Sequence, residues 1–344
     1  MRAIMKTRPE PGGEVVDIAD PSTIPPGYVL VKPLAWSICG TDVHIWHWDH
    51  WAAHRIRLPR ILGHEFAGEV IAVGEGVTER QVGDVVASES HIVCGACYQC
   101  RHGQAHVCRN TRILGIDTDG VWAELVLIPE ANARPTPSQI PVEIAAIQDP
   151  LGNAVHAALA GPLEGRTVAV MGCGPLGLFS IGIAKACHSS TVFAVEKHPY
   201  RLQLAEQMGA DVLLNPVKDD VEKAVMTYTA GEGVDVVLEM SGAPMAVKTG
   251  FRIARPGGRV TLMGIPSDPI EVDFAEDVIF KGLEVQGIVG RRLYRTWEQM
   301  QDLLVSGRLD VRPVITHTMG FSEISRAMEL IDTGKCAKVI LRPD

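Results

Sequence analysis

No stretch of this sequence concentrates lysine or arginine: its 344 residues carry 32 basic and 41 acidic side chains, a formal net charge of −9. Phosphate backbones are recognised through a clustered positive footprint, so nucleic acid is not an expected partner. An N-terminal apolar h-region is also missing. Met1 to Glu10 holds three basic residues and no hydrophobic run, so a secretory signal is not expected and a cytoplasmic location is. Nor is there an unbroken membrane span. The uncharged run Val168 to Ala184 is interrupted by Gly172, Gly174, Pro175 and Gly177, and it reads as a buried strand feeding a buried helix. Cysteine is scarce outside one cluster: of eight, four (Cys94, Cys97, Cys100 and Cys108) fall within fifteen residues. Without an export signal, that crowding favours metal thiolates in a reducing compartment over disulfides.

What remains is a soluble balance of 46% apolar and 21% charged residues, in a chain long enough for two domains. The first 140 residues alternate short strand patterns with Pro and Gly turns: Ala3 to Met5, Val15 to Ile18, Tyr28 to Trp36, Gly68 to Gly74 and Val82 to Ser88. Such spacing predicts a partly closed β domain with no helix before residue 140. From Pro141 to Gly161 the pattern turns helical, with a break expected at Asp149-Pro150-Leu151-Gly152-Asn153, because proline cannot continue a helix. That break puts Asp149 at an element junction, where a carboxylate serves as a cap or faces a cleft.

Two clusters carry donor chemistry. Cys39-Gly-Thr-Asp-Val-His44 is followed by Gly63-His64-Glu65. Cys39, His64 and Glu65 are donors of the kind that hold a catalytic zinc, which takes three protein ligands and keeps one position open. Taken singly, each is as easily a buried cysteine or a satisfied core histidine. Cys94-x2-Cys97-x2-Cys100-x7-Cys108 can wrap one tetrahedral zinc from a single loop, with Gly95 and Gly103 letting the backbone turn. All four positions are filled, as in a closed structural site. A disulfide pair is the alternative.

From Gly165 onward strands and helices alternate. Thr167 to Met171 reads as a strand, Gly172-x-Gly174-x-Leu176-Gly177 as a tight turn into a helix, Thr191 to Val195 as a second strand, and Glu196 as the acid that ends it. In that order the pattern is a dinucleotide fingerprint: glycines admit a pyrophosphate at the helix N-terminus and the acid binds a ribose diol. An acid there repels a 2′-phosphate, so NAD is expected over NADP, with Arg201 over the adenine or paired with Glu196. Val234 to Glu239, Gly258 to Met263 and Leu283 to Val289 supply further buried strands of a parallel, doubly wound sheet. The turns Met263-Gly264-Ile265 and Ile288-Val289 are further cofactor candidates. Arg295 to Val305 and Ser322 to Ile331 read as helices, and Ala337 to Leu341 as a final strand.

With both clusters and the fingerprint in place, the chain resembles the zinc-dependent medium-chain alcohol dehydrogenases along nearly its whole length. Cys39-Gly-Thr-Asp-Val-His44-Ile-Trp-His-Trp-Asp-His-Trp51, Asp149-Pro-Leu-Gly-Asn-Ala-Val-His156 and Gly290-Arg-Arg-Leu-Tyr-Arg-Thr-Trp297 are similar to the members acting on L-threonine. The resemblance implies an α/β chain with a GroES-like β-rich catalytic domain over 1–152 and 296–344. A Rossmann NAD-binding domain is inserted over 153–295. It implies two zinc ions per subunit, catalytic on Cys39, His64 and Glu65, and structural on Cys94, Cys97, Cys100 and Cys108. It also implies a proton relay through Thr41 and His44, with Asp149, shorter than the glutamate common there, acting beside the relay rather than on the metal. L-Threonine as substrate, NAD as oxidant and a homotetramer follow from the same likeness. A polyol dehydrogenase of the sorbitol or butanediol type is the alternative.

Overall fold

The computed structural model describes residues 1–344. It divides into two compact units, Met1–Pro150 with Ile315–Asp344, and Leu151–Val314. The first seam falls near the residue 152 expected from sequence, whereas the second falls at 314 rather than 295. Helix Arg295–Val305 therefore belongs with the second unit. It buries Thr296, Trp297, Met300 and Leu303, and Leu309 beyond it lies so close to Gly182 that a Cβ there would meet its Cδ1 at 2.9 Å. No helix is long and apolar enough to cross a membrane.

The first unit is built on strands β1 (Tyr28–Ser37) and β2 (Glu65–Val73), antiparallel neighbours in a seven-stranded sheet. Strand Lys338–Arg342 pairs with the other edge of β1. Register matters here: Ser37 stands opposite both Glu65 and Ile340, which sets Ser37, Glu65 and Lys338 side by side. Beneath lies a core of Trp36, Phe66, Trp122 and Phe321, all at most 1% exposed. The Trp36 and Phe321 rings are 4.6 Å apart, and the Trp36 indole donates to the Val121 carbonyl. Gly63 is obligatory on two counts: its φ is +81°, and a Cβ would sit 2.1 Å from the Trp122 ring.

In the second unit the strands run β3 (Thr167–Met171), β4 (Thr191–Val195), Val212–Leu214, then β5 (Val234–Glu239), β6 (Ala254–Leu262) and β7 (Glu284–Gly287). All pairs are parallel, and Val212–Leu214, β4, β3, β5, β6 and β7 lie side by side in that order. This is the doubly wound order whose direction reverses between β3 and β5, where the carboxyl ends open a crevice. The buried strands Val-Ala-Val-Met and Val-Val-Leu-Glu need no alternation, because helices cover both faces.

Two readings of the sequence are corrected by the structure. Helices do form before residue 140: α1 (Gly40–His47) and α2 (His50–Arg55). At eight and six residues they are too short to show periodicity, and they are specified by their caps, with Asp42 accepting from the Cys39 amide and Asp49 from the Ala52 amide. The helix break also moves. Helix α3 (Gln148–Ala158) runs through Asp149-Pro150-Leu151 without interruption, because Pro150 lies in its first turn, where the missing N–H has no intrahelical partner to lose. The break falls at Ile147 instead.

Asp235 on β5 fastens the start of β3. Its carboxylate accepts from the Thr167 amide and hydroxyl, both at 2.8 Å, and from Arg255 Nε at 2.8 Å and Arg166 Nη1 at 3.1 Å. Burial would raise this carboxyl, but the Thr167 amide and the two guanidinium groups outweigh it and hold it at about 2. In the unfolded chain it titrates near its ordinary value of about 3.9. Its contribution is therefore complete above that value and is lost as pH falls through about 2. Thermal unfolding in a pH series should show wild type losing stability more steeply than Asp235→Asn between about pH 4 and 2; parallel curves would contradict this assignment.

Candidate active site

The three donors of the first cluster converge. Cys39 is the N-cap of α1, His64 follows the Gly63 turn, and Glu65 is the first residue of β2. One ligand atom from each lies within 4.8 Å of the others, a span that a shared zinc with bonds of about 2.0–2.3 Å closes by small side-chain rotations. His64 and Glu65 are 6% and 0% exposed.

The surroundings ask for a cation. Asp42, fully buried in the first turn of α1, places Oδ1 3.4 Å from His64 Nδ1. That leaves Nε2 facing Glu65 Oε1 at 3.9 Å. A carboxylate behind the far ring nitrogen is the usual way a ligating histidine is oriented. Glu65 Oε2 is taken by Lys338 Nζ at 2.5 Å and by the Ser37 hydroxyl. Glu65 Oε1 has no hydrogen-bond partner although it is buried, and such an atom is costly unless something positive reaches it. Burial would lower the His64 imidazole, but the Asp42 carboxylate and Cys39 sulfur outweigh it and hold the ring well above its usual value. Burial would likewise raise Glu65, and the Lys338 ammonium and His64 hold it below the carboxylate norm. The Asp42 and Glu65 carboxylates about His64 form a negative surplus that a bound dication would offset, displacing the imidazole proton.

The second cluster fits zinc by spacing. Cys97 and Cys100 sulfurs are 3.5 Å apart, Cys97 and Cys108 3.8 Å, and Cys94 and Cys108 3.5 Å. Bonds of about 2.3 Å to one tetrahedral zinc separate sulfurs by about 3.8 Å, whereas a disulfide needs about 2 Å. Backbone amides prepare the thiolates. Those of Ala96 and Cys97 bring Cys94 down to about 6, while burial and the neighbouring sulfurs push Cys100 up to about 12. Asn110, which the spacing did not reveal, donates to the sulfurs of Cys108 and Cys94.

The relay candidates lie on α1. Thr41 Oγ1 is 3.9 Å from Cys39 Sγ, and His44 Nδ1 is 2.6 Å from Asp49 Oδ2. Asp149 is not one of the three clustered donors; it is buried, and its Oδ1 accepts from the Ser90 amide at 3.0 Å. His91 stands on Glu89, its ring and its amide both meeting Glu89 Oε1.

In the second unit the glycine turn has the close packing a pyrophosphate loop needs. A Cβ on Gly177 would lie 1.9 Å from the Gly172 carbonyl oxygen, and Gly172 has φ +90°. Leu176 lies in the first turn of α4 (Pro175–Ala186), beside Gly177. Glu196 follows β4, and its two oxygens accept the Cys173 and His198 amides, each at 2.9 Å, tying the glycine loop to the next turn. Arg201 Nε is buried without a partner. Glu239, an acid the pattern reading passed over, ends β5 and accepts from the Ser241 and Gly242 amides. The Met263 and Gly264 amides donate to its carbonyl, and Ile288 to that of Leu262. Gly172, Glu196, Met263-Gly264-Ile265 and Ile288-Val289 thus all lie at carboxyl ends of the sheet. Arg291, also unforeseen, is fully buried, with Nη1 2.8 Å from Asn153 Oδ1. A Cβ on Gly152 would strike its Cδ at 2.6 Å.

A thiol, imidazole and carboxylate around one cation site, with a dinucleotide turn in a separate parallel-sheet unit, define a zinc-dependent dehydrogenase. Residues 25–138 match the alcohol dehydrogenase GroES-like domain and residues 175–306 the zinc-binding dehydrogenase domain; the chain belongs to the zinc-dependent medium-chain alcohol dehydrogenase family. It is 50% identical over 345 residues to L-threonine 3-dehydrogenase of Symbiobacterium thermophilum, covering 100% of this chain and 98% of that one. It is also 50% identical over 341 residues to L-threonine 3-dehydrogenase of Pyrococcus furiosus, covering 99% and 98%. A zinc-binding dehydrogenase from Sinorhizobium meliloti 1021 bound to NADP superposes with a TM-score of 0.90 at 29% identity, over 99% of both chains.

Replacing Lys338 by Met leaves the Glu65 carboxylate buried without its cation, at a cost of about 3–5 kcal/mol. The deficit in thermal unfolding should be large in chelator and shrink when zinc is restored, because the dication then answers the same charge. An equal deficit in both conditions would mean that Glu65 does not face the metal.

Proposed function

We propose that this chain oxidises the 3-hydroxyl of L-threonine to 2-amino-3-oxobutanoate, reducing NAD to NADH and releasing one proton, as an enzyme of threonine catabolism. The observation that carries the reading is half-identity over the whole length to threonine dehydrogenases, in a chain whose Cys39, His64 and Glu65 donors are brought together.

Cys39, His64 and Glu65 would hold the catalytic zinc and Cys94, Cys97, Cys100 and Cys108 the structural one. Bound zinc supplies a Lewis acid that lowers the pKa of the alcohol, and bound nicotinamide accepts the hydride. The chain's own work is to hold the carbinol and remove its proton. Thr41 hands the proton to His44, whose side chain, 64% exposed, reaches solvent. Glu65, buried and paired with Lys338, keeps its carboxylate on the metal side. Asp149 is then the carboxylate for the substrate ammonium, and His91, braced by Glu89, the group for the substrate carboxylate. Gly172, Gly174, Leu176 and Gly177 cradle the pyrophosphate, with Glu196 and Arg201 at the adenosine ribose. Met263, Gly264, Ile265, Ile288 and Val289 line the nicotinamide end. The Glu196 carboxylate favours NAD, since a 2′-phosphate would meet like charge.

Strand β7 is a sheet edge carrying exposed Val285 and preceded by exposed Phe274, Ile279 and Phe280, the kind of surface that a homotetramer covers.

NADH absorbance with L-threonine, sorbitol and 2,3-butanediol, each with NAD and NADP, tests the proposal. Chelator-sensitive NAD reduction preferring L-threonine is expected, and His91→Ala should raise the threonine KM about tenfold, the loss of a charge-assisted contact. Preference for a diol would transfer the same site to a polyol.

A further inference from the structure

We propose that the head of α2 holds His44 in the tautomer able to accept the alcohol's proton, with Asp49 as its positioning residue; this rests on the relay reading of His44. An imidazole as exposed as this one ordinarily samples both tautomers and several rotamers. Here Nδ1 lies 2.6 Å from Asp49 Oδ2, the length of a charge-assisted bond. A carboxylate only accepts, so Nδ1 carries the hydrogen and Nε2 presents its lone pair. Asp49 is itself fixed. Its other oxygen takes the Ala52 amide at 2.9 Å as the N-cap of α2, and its own amide donates to the His44 carbonyl at 3.3 Å. Trp51, one residue into α2, meets the imidazole edge-on at 6.4 Å and 67°.

The backbone reversal that allows this is costly. Trp48, between the helices, has φ +53°, a left-handed conformation that bulky residues rarely adopt. Two contacts sustain it. The Lys6 ammonium lies 5.4 Å from the Trp48 ring centroid, and Lys6 donates to the Trp46 carbonyl at 3.0 Å. The carboxyl of Asp49 is held below its ordinary value, burial being outweighed by the Ala52 amide and His44, so it remains an anion at neutral pH. The same turn ends α1, with the Trp48 amide donating to the Ile45 carbonyl at 3.1 Å, and it returns one carboxylate to one ring nitrogen, which fixes which nitrogen is basic.

Asp49→Asn separates positioning from structure, because asparagine caps a helix about as well as aspartate but can offer an N–H to Nδ1 and reverse the tautomer. With L-threonine and NAD, the zinc-loaded Asp49→Asn enzyme should keep its melting temperature and its threonine KM within about twofold while kcat falls about tenfold, part of the general-base contribution. The double variant with His44→Asn should be no slower than His44→Asn alone. Wild-type kcat in Asp49→Asn beside a slow His44→Asn would overturn the proposal and leave the relay standing, as would additive losses in the double variant. Wild-type kcat in His44→Asn would overturn the relay reading itself. Should Asp49→Asn fold poorly, ¹⁵N-histidine spectra decide: the ring signal present in wild type and absent in His44→Asn must show an unprotonated Nε2, and a protonated one contradicts the proposal.

Discussion

A carboxylate and an ammonium 2.5 Å apart, with side chains only 0% and 2% exposed, set the terms for the first unit. Neither Glu65 nor Lys338 could be buried alone, and the pair is neutral only to itself. Around it stand the Asp42 carboxylate and the Cys39 sulfur, both of which hold the His64 imidazole above its usual value. That surplus of negative donors gives the site its chemistry. Three strands deliver the pair, because Ser37 of β1 faces Glu65 on one side and Ile340 on the other. A slip of one residue in either register would turn Glu65 or Lys338 to the opposite face of the sheet. The sheet therefore does more than support the clustered donors: its register fixes which oxygen of Glu65 is spent on lysine and which is left without a partner.

The second unit answers to a steric constraint rather than an electrostatic one. Gly177 sits under the Gly172 carbonyl and Gly264 over the Gly242 amide, each too close for a Cβ. Turns pressed together at the strand ends leave amides and carbonyls as the surface a dinucleotide meets. Acids then act as clasps. Glu196 and Glu239 each hold two backbone amides of their neighbouring turns, so the loops keep their shape without a ligand to organise them.

How much of this was legible in the sequence follows from sequence distance. The Cys94 to Cys108 loop, the strand-glycine-helix turn and the segments that carry Cys39 and His64-Glu65 are local patterns, and the fold brings the donors of each cluster together. Lys338 was not, because it reaches Glu65 across 273 residues and looks in isolation like any lysine of a terminal strand. Asp42 lies in plain view inside Cys-Gly-Thr-Asp, but only the fold shows that its carboxylate bridges the Cys39 amide and His64. The helices α1 and α2 escaped notice because caps rather than periodicity define them. Pro150 misled for the opposite reason: proline breaks a helix interior but not its first turn. The later seam moved to residue 314 because the apolar stripe of Trp297, Met300 and Leu303 is legible as amphipathic, yet sequence does not say which core it serves.

The catalytic reading stands or falls on Cys39, His64 and Glu65 sharing one zinc ion. Anomalous difference maps from crystals of the purified enzyme, collected on both sides of the zinc absorption edge, test this directly. One peak is expected among Cys39, His64 and Glu65 and another among Cys94, Cys97, Cys100 and Cys108. A peak at the four cysteines alone, in protein that oxidises L-threonine at full rate, would contradict it.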